Sequence, residues 1–501
     1  MLLQLLLWLL PLFPIIILIR NYFLLPTSVP GPFIARFSNV YRAWLVWGRR
    51  AHEVQLDLHR KYGDVVRLGP DNISVSGPGY LSIYAIGKGF IKSDFYRVFQ
   101  NIVNGKRAAS LVAMTDESEH SKTKRLVAHA YSLSTLVEFE PLVDSTTSVF
   151  LDTLEKRFAA TGATCNLGEY LQFYAFDVIG ELTFSKRLGF IETGEDAEGI
   201  LSSIGSNFSY FSVLGQIPWL DEWLGKNPLY IKYLARPVAS PIIQFGQKLL
   251  SERLAEQQQG KVESNAHPDF LSRFLQIRKE TEEPMTDRQI LSFLFMNINA
   301  GSDTIASTVR AVFYHLLRNP SSLSELVSEL DEAKAQNKLT TPCPSWHETQ
   351  SLPYLCAAIK EGLRMNPALS LPLERVVPPE GFTLQDPQNT YLPKGSIIGI
   401  NPYVFHRDPR VFGSDADQWN PARWLSEQEK ESRTMDHSLL QFGAGKRSCL
   451  GKNIAMLELH KLVAAILLKF RLELADPAKE WVVKNAWVLN QTGLEVKVAV
   501  R

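Results

Sequence analysis

The residues with the most chemical promise lie in the stretch Phe442-Gly443-Ala444-Gly445-Lys446-Arg447-Ser448-Cys449-Leu450-Gly451. Two glycines and a basic pair precede one cysteine, and a helix is expected just after it. Backbone N–H groups at a helix start favour a thiolate, as does a neighbouring guanidinium. A sulfur held this way is a nucleophile or a metal ligand; on residue types alone, a buried structural cysteine beside a glycine turn is equally open. Ala300-Gly301-Ser302-Asp303-Thr304 is a second such place. A glycine inside a helix costs roughly 1 kcal/mol against alanine, and Asp and Thr can bond backbone groups and open the helix. An acid beside an alcohol can also handle protons. In Glu361-Gly362-Leu363-Arg364 a carboxylate and a guanidinium share one helix face at i, i+3, a spacing most often seen in solvated surface pairs.

These side chains need elements to hold them. The longest predicted helix runs from about Thr286 to Arg318 and carries Gly301–Thr304 in its middle. Thr286 and Gln289 fit a capping box, and Asn319–Pro320 ends the helix. At 1.5 Å per residue it would span roughly 50 Å. It is apolar on much of its circumference (Ile290, Leu294, Ile298, Ile305, Val309, Val312), which predicts burial. A second helix follows Pro353 to about Met365 and carries Glu361 and Arg364. A last one follows Gly451, with a stripe at Leu459, Leu462, Val463, Ile466, Leu467 and Phe470.

Val65–Leu68 and Ile73–Val75 read as strands around a turn at Gly69–Asn72, and Thr390–Tyr403 as strands with a turn at Pro393–Gly395. Glu119 to Ala335 is mostly helical in period, with a polar surface loop at Gln257–Pro268, and Phe405–Leu440 reads as irregular. The fold class is mainly α with minor β-sheets, without a strand–helix alternation.

Composition narrows the function. Of 501 residues, 45% are apolar and 21% charged, which excludes wholesale disorder. With 53 basic and 52 acidic residues the net charge is +1, so nothing calls for nucleic acid as a partner. Cys165, Cys343, Cys356 and Cys449 lack both a disulfide framework and a C-x-x-C pair, which fits a cytosol-facing body.

Met1 to Ile19 is apolar apart from Gln4, just long enough to span a bilayer. No basic segment precedes it, and Ile16–Arg20 offers no small-residue cleavage site, so an uncleaved anchor is expected. Arg20, Arg36, Arg42, Arg49 and Arg50 follow and place the body in the cytosol. The chain thus divides into a membrane anchor (1–20), a proline-rich connector (21–32) and one catalytic domain (33–501).

Phe442, Gly445, Arg447, Cys449 and Gly451 match, one by one, the haem loop F-x-x-G-x-R-x-C-x-G of the cytochromes P450, which this chain resembles from Pro30 to its C-terminus. The resemblance implies the cytochrome P450 fold behind an N-terminal transmembrane helix. It implies haem b as cofactor, with the Cys449 thiolate as iron ligand and Phe442 and Arg447 beside it. Glu361 and Arg364 resemble the family's E-x-x-R, and Arg423 in Asn420–Trp424 its third partner, residues that lock the fold. Ala300–Thr304 resembles A-G-x-[D/E]-T, which implies Thr304 at the dioxygen and a held water, and Asp303 on a proton path. Arg375, Arg447, His120 and Lys124 match propionate contacts. Lys124 departs from the arginine usual in W/H-x-x-x-R, and a lysine cannot form the bidentate fork; Arg125 would point about 100° away.

The resemblance as a whole implies a membrane-anchored haem-thiolate monooxygenase that inserts one atom of O2 into a lipophilic small molecule. Only 50 residues follow Gly451, too few for a flavin domain, so a separate NADPH–cytochrome P450 reductase is expected. Lys446, Lys452 and Lys461 would help it dock, and the endoplasmic reticulum membrane is the expected location, single-pass. Leu371–Pro378 and Asn401–Trp424 resemble fungal secondary-metabolism enzymes of the pisatin demethylase and benzoate hydroxylase type. Phe95–Leu111, Asn207–Leu214, Asn297–Ala300, Leu369–Leu373 and Trp487–Leu489 would face the substrate. A reductase-independent enzyme that rearranges peroxides, or a non-catalytic haem or lipid carrier, needs no Asp303–Thr304 pair. A hydrolase lacks a visible Ser or Cys elbow with a placed His.

Overall fold

A computed structural model describes residues 12–501 except 104–105, 197–198, 234–240, 259–268, 282–283 and 426–428. Helices carry most of the chain, and five of them position the site. They are α1 (Glu117–Val127), α2 (Leu167–Phe184), α3 (Asp287–Arg318), α4 (Pro353–Met365) and α5 (Lys452–Lys469). The capping box at Thr286 forms as expected: Thr286 Oγ1 accepts from the Gln289 N–H at 3.3 Å, and Gln289 Oε1 from the Thr286 N–H at 2.9 Å.

The long helix α3 lies against α2 along much of its length and against α4 farther on. Two glycines allow these approaches. A Cβ on Gly301 would stand 3.1 Å from Ile179 of α2, and one on Gly362 of α4 only 2.5 Å from Val312 of α3. Gly301 therefore lets α2 come close, and the opening of the helix expected there does not occur: α3 is continuous from Asp287 to Arg318. Phe150, Phe173, Tyr174, Phe176, Phe270, Phe274 and Phe313 fill the space between these helices, fully buried. Each is worth about 1.5–3 kcal/mol of transfer free energy.

A smaller sheet forms the second layer. Its strands β1 (Val65–Arg67), β2 (Asn72–Val75), β3 (Ile91–Lys92), β4 (Arg375–Val376) and β5 (Ile397–Ile400) lie in the order β1-β2-β5-β4-β3. The one parallel pair is β2–β5, with Ile398 opposite Ile73. The turn before β5 is as predicted, with Gly395 at φ 82°. The strand stops at Ile400 rather than Tyr403, because Asn401 accepts from the Tyr403 N–H at 3.0 Å and starts the short helix Pro402–Phe405. The expected irregular stretch to Leu440 is also partly helical, at Pro409–Phe412, Pro421–Leu425 and Glu429–Ser438. In the opposite sense, Cys165–Asn166 is extended within a tract read as helical. It pairs with Glu495–Val500 before Asn166 caps α2.

Met1–Pro11, most of the expected anchor, lies outside the described residues, and Leu12–Tyr22 is a helix. No helix among the described residues is long and apolar enough to cross a membrane. Most of the expected Gln257–Pro268 loop also lies outside them. The proline-rich connector is bound to the body: Arg67 is fully buried, its guanidinium donates to Asn21 O at 3.0 Å, and its N–H donates to Pro30 O at 2.7 Å.

Glu458 on α5 is buried, and neither carboxylate oxygen has a partner, so burial holds its pKa well above the usual carboxylate range. A raised carboxyl pKa means stability that is intact at low pH and lost as pH rises toward the folded-state value. In Glu458→Met this loss disappears. The melting temperature of the variant relative to wild type is expected to climb between about pH 5 and pH 8; thermal melts with a constant difference across that range would overturn the assignment.

Candidate active site

The loop before α5 presents one sulfur. The Cys449 N–H donates to Phe442 O at 2.7 Å and the Gly443 N–H to Leu440 O at 2.8 Å. Gly443 and Gly445 both sit at φ 64°, and a Cβ on Gly445 would collide with Tyr84 O at 2.0 Å. No other residue fits Gly445. Cys449 stands on the wall of a cavity of about 600 Å³. Burial pushes its thiol pKa up, while the N–H groups of Gly451 and Lys452 and the ammonium groups of Lys124 and Lys452 act in the opposite direction.

The expected cation beside the sulfur was Arg447, and here the structure differs. The Arg447 guanidinium is turned to Glu117 on α1, at 2.7 and 2.9 Å, and to Met114 O. Lys124 takes that place: its Nζ donates to Lys446 O and Ser448 O, 3.1 Å each, and braces the loop from α1.

Glu361 and Arg364 are both fully buried, unlike a surface pair. Arg364 Nε and Nη2 each donate to Glu361 at 2.8 Å. Glu361 also accepts from Arg423 Nε at 3.1 Å, Trp424 Nε1 at 2.9 Å and the Asn420 N–H at 2.9 Å. Burial alone would raise the Glu361 pKa; Arg364 and Arg423 overcome it and hold it below the usual range. His406 joins this network to the cysteine loop. Its Nδ1 faces Arg364 O at 3.2 Å and its Nε2 accepts from the Leu440 N–H at 2.8 Å. Those contacts suit the neutral ring, and burial lowers its pKa to about 3. Sequence reasoning missed His406, which no motif marks.

On α3 the predicted acid–alcohol pair separates. Thr304 lines the cavity, with Oγ1 donating to Ala300 O at 2.7 Å, and Thr308 lines it one turn farther on. Asp303 does not line it. Its carboxylate accepts from the Gln172 side chain of α2, and Gln172 in turn accepts from Arg310. Neighbouring helical residues diverge by about 100°, which is why the two functions face different ways. Burial raises the Asp303 pKa, against the Gln172 hydrogen bond and Arg310. Burial lowers that of Arg310 to about 10.

The remaining predicted residues, His120, Lys124, Arg375, Phe442 and Arg447, all line the same cavity. Lys92 on β3 joins them, and sequence reasoning missed it. It is buried, its Nζ donates to Val112 O at 2.7 Å and lies 4.2 Å from the Tyr96 ring centre. Burial, then Arg447 and Arg375, press its pKa well down. Burial followed by Arg447, Lys92 and Lys124 takes His120 to about 3. No Asp or Glu is among the described residues lining the cavity. Glu374, next to Arg375, is already engaged by Arg42, Asn72 and Ser93. Buried basic groups without counterions suit an anion, and haem brings two carboxylates. The residues present therefore fit haem: Cys449 for the iron, Lys92, His120 and Arg375 for the carboxylates, and Arg447 and Lys124 to fix the loop.

Each segment expected to face the substrate reaches the cavity, through Tyr96 and Phe99, Asn207 and Phe211, Asn297 and Ala300, Leu369 and Leu373, and Trp487. Phe184, Gln247 and Arg288 line it as well and were not anticipated. Lys461 is not a docking residue: it is fully buried, held by Glu140, by Asp144 at 2.8 Å and by Pro344 O at 2.7 Å.

The family model described as cytochrome P450 matches residues 29–498. The chain is 42% identical over 476 residues to cytochrome P450 monooxygenase cicH of Emericella nidulans, covering 95% of this chain and 94% of that protein. It is 42% identical over 474 residues to cytochrome P450 monooxygenase pkfB of the same fungus, covering 94% and 91%. Against cytochrome P450 monooxygenase mpaDE of Penicillium roqueforti identity is 41% over 479 residues, and the match spans 55% of that longer protein.

Removing a buried charge that a bound anion needs costs about 1–3 kcal/mol. Lys92→Met is therefore expected to speed haem transfer to excess apomyoglobin about tenfold. A transfer rate equal to wild type would remove Lys92 from the haem site.

Proposed function

The chain belongs to the cytochrome P450 family, and from that premise we propose a haem-thiolate monooxygenase that inserts one atom of O2 into a lipophilic small molecule. The observation that carries this reading is the Cys449 sulfur on the wall of a mostly apolar cavity that Thr304 also lines. When bound, the haem supplies the dioxygen-activating chemistry and receives electrons from outside the chain. Cys449 holds it through sulfur. Thr304 Oγ1 spends its proton on Ala300 O, so its lone pairs are left to accept a hydrogen bond from a water at the cavity wall. Inserting one oxygen atom and reducing the other to water consumes two protons. Asp303 keeps a proton at higher pH than an ordinary carboxyl, with Gln172 and Arg310 fixing its orientation. Leu291, Phe295, Phe208 and Phe211 keep bulk water from the reacting carbon.

NADPH–cytochrome P450 reductase is the proposed electron donor. Lys446 and Lys452 are exposed on the cysteine loop and the start of α5, and Lys122 and Arg125 on the adjoining α1. They offer an acidic partner a basic face. Membrane attachment through Met1–Ile19, with a cytosolic body at the endoplasmic reticulum, is proposed as well. Trp44, Trp47, Trp219 and Trp223 stand exposed, and such aromatic side chains suit the membrane interface. The similar proteins come from fungi, which supports a role in secondary metabolism. Peroxide rearrangement and passive carriage give the Thr304 and Asp303 groups no task.

The reduced, CO-bound absorption spectrum should carry the thiolate signature, and turnover should require NADPH and reductase. A folded protein without that signature would overturn the reading. Thr304→Ala should retain the CO spectrum and NADPH oxidation, while product per NADPH falls severalfold and peroxide appears. Unchanged coupling would remove Thr304 from proton handling.

A further inference from the structure

The cavity has a second charged place, far from the sulfur. Arg288 lines it at the N-terminal end of α3 and is exposed. Thr304 stands sixteen positions after Arg288, about 24 Å along the helix axis. Between them the helix offers Leu291 and Phe295 together with Ser292, Asn297 and Asn299 to the cavity, and Ile204, Phe208 and Phe211 add an apolar wall.

Arg288 has no carboxylate partner among the described residues. Its Nη2 donates to a neutral group, Arg107 O, at 3.2 Å. The neighbouring acid Asp287 is taken by Arg278 at 2.6 Å. Arg107 itself pairs with Glu222. Among the described residues, Arg288 and Arg107 have one carboxylate between them, Glu222. The described cavity lining holds no Asp or Glu, so a cation entering would lose hydration and gain no counterion.

From this layout we infer that the substrate is a lipophilic acid: its anionic group is held by Arg288 at the N-terminal end of α3, and its hydrocarbon end lies toward Thr304. The inference rests on the monooxygenase reading and names the substrate class of that same cavity. Lys92, Lys124, Arg375 and Arg447 do not serve this purpose. They lie at the sulfur end, where Lys124 holds the loop carbonyls and Arg447 holds Glu117, and where Lys92 and Arg375 would hold the haem carboxylates.

The test is a set of titrations of the haem-loaded ferric protein, followed through the spin-state shift of the Soret band. The probes are laurate, dodecanol and dodecyltrimethylammonium, which share one chain and differ in head charge; the quaternary nitrogen cannot coordinate iron. Laurate should bind tighter than dodecanol, and dodecyltrimethylammonium should give no shift. Arg288→Gln should weaken laurate about fivefold and leave dodecanol unchanged. Arg288→Lys should restore most of the loss. Glu222→Gln frees Arg107 and should strengthen laurate, and added salt should weaken laurate alone.

Equal affinities for laurate and dodecanol, an equal effect of Arg288→Gln on both, no shift with laurate, or a full shift with the quaternary ammonium would each overturn the proposal. The two readings fail separately. A sound CO spectrum with any of those results overturns the acid proposal alone. A CO spectrum without the thiolate signature overturns the monooxygenase reading, and Arg288-dependent stabilisation by laurate in thermal melts then still tests the acid site.

Discussion

Much of this structure hangs on one buried guanidinium. Arg364 is shut off from solvent, and a charge in that position must be paired and fully hydrogen-bonded. Its donors go to Glu361, to His406 O at 2.7 Å, to Ala416 O at 2.5 Å and to Gln418 O at 2.9 Å. Those carbonyls belong to a stretch with little regular structure of its own. The stretch is ordered because Arg364 requires its carbonyls in place. Leaving the charge unpaired would cost about 3–5 kcal/mol, a large part of a domain's net stability. Glu361 repeats the logic from the other side, collecting Arg423, Trp424 and the Asn420 N–H on one carboxylate.

The network reaches the chemistry through His406. One ring nitrogen faces Arg364 O and the other accepts from the Leu440 N–H, and two residues after Leu440 the cysteine loop begins. The loop is then pinned at its far side by Lys124 on α1. A lysine suits this place better than an arginine fork would: two carbonyl oxygens converge on one point, and a compact ammonium can meet both. Lys92 on β3 is a second lysine on the wall of the cavity that Lys124 lines, and it is buried.

How much could be read in the sequence depends on how local each constraint is. The cysteine loop was legible because tight turns and a presented sulfur demand particular residue types at fixed spacing. The cap and length of α3 were legible from period and capping chemistry. Lys92 was not, because a lysine in a two-residue strand looks like any solvated charge until the fold closes over it. Lys461 erred in the opposite direction: it read as a surface lysine and is buried among acids supplied from Glu140 and Asp144. His406 and Gln172 owe their roles to partners that lie far away along the chain. The divergence of Asp303 and Thr304 could have been seen earlier, since a helix turns adjacent residues apart by about 100°.

That divergence also explains how one helix can serve a mostly apolar cavity and a charged interior together. A carboxylate facing the cavity beside Thr304 would put an acid where the described lining has none, and would draw water into the cavity. Turned onto α2, Asp303 is buried but paired with Gln172, and through it with Arg310, whose Nε donates to Gly168 O at 2.6 Å. Close approach of α2 is the condition for this arrangement, and Gly301 provides it two residues earlier. The glycine, the acid and the alcohol are therefore three parts of one packing solution. The first lets α2 in, the second is held by it, and the third is left as the polar group that this turn of α3 offers to the cavity.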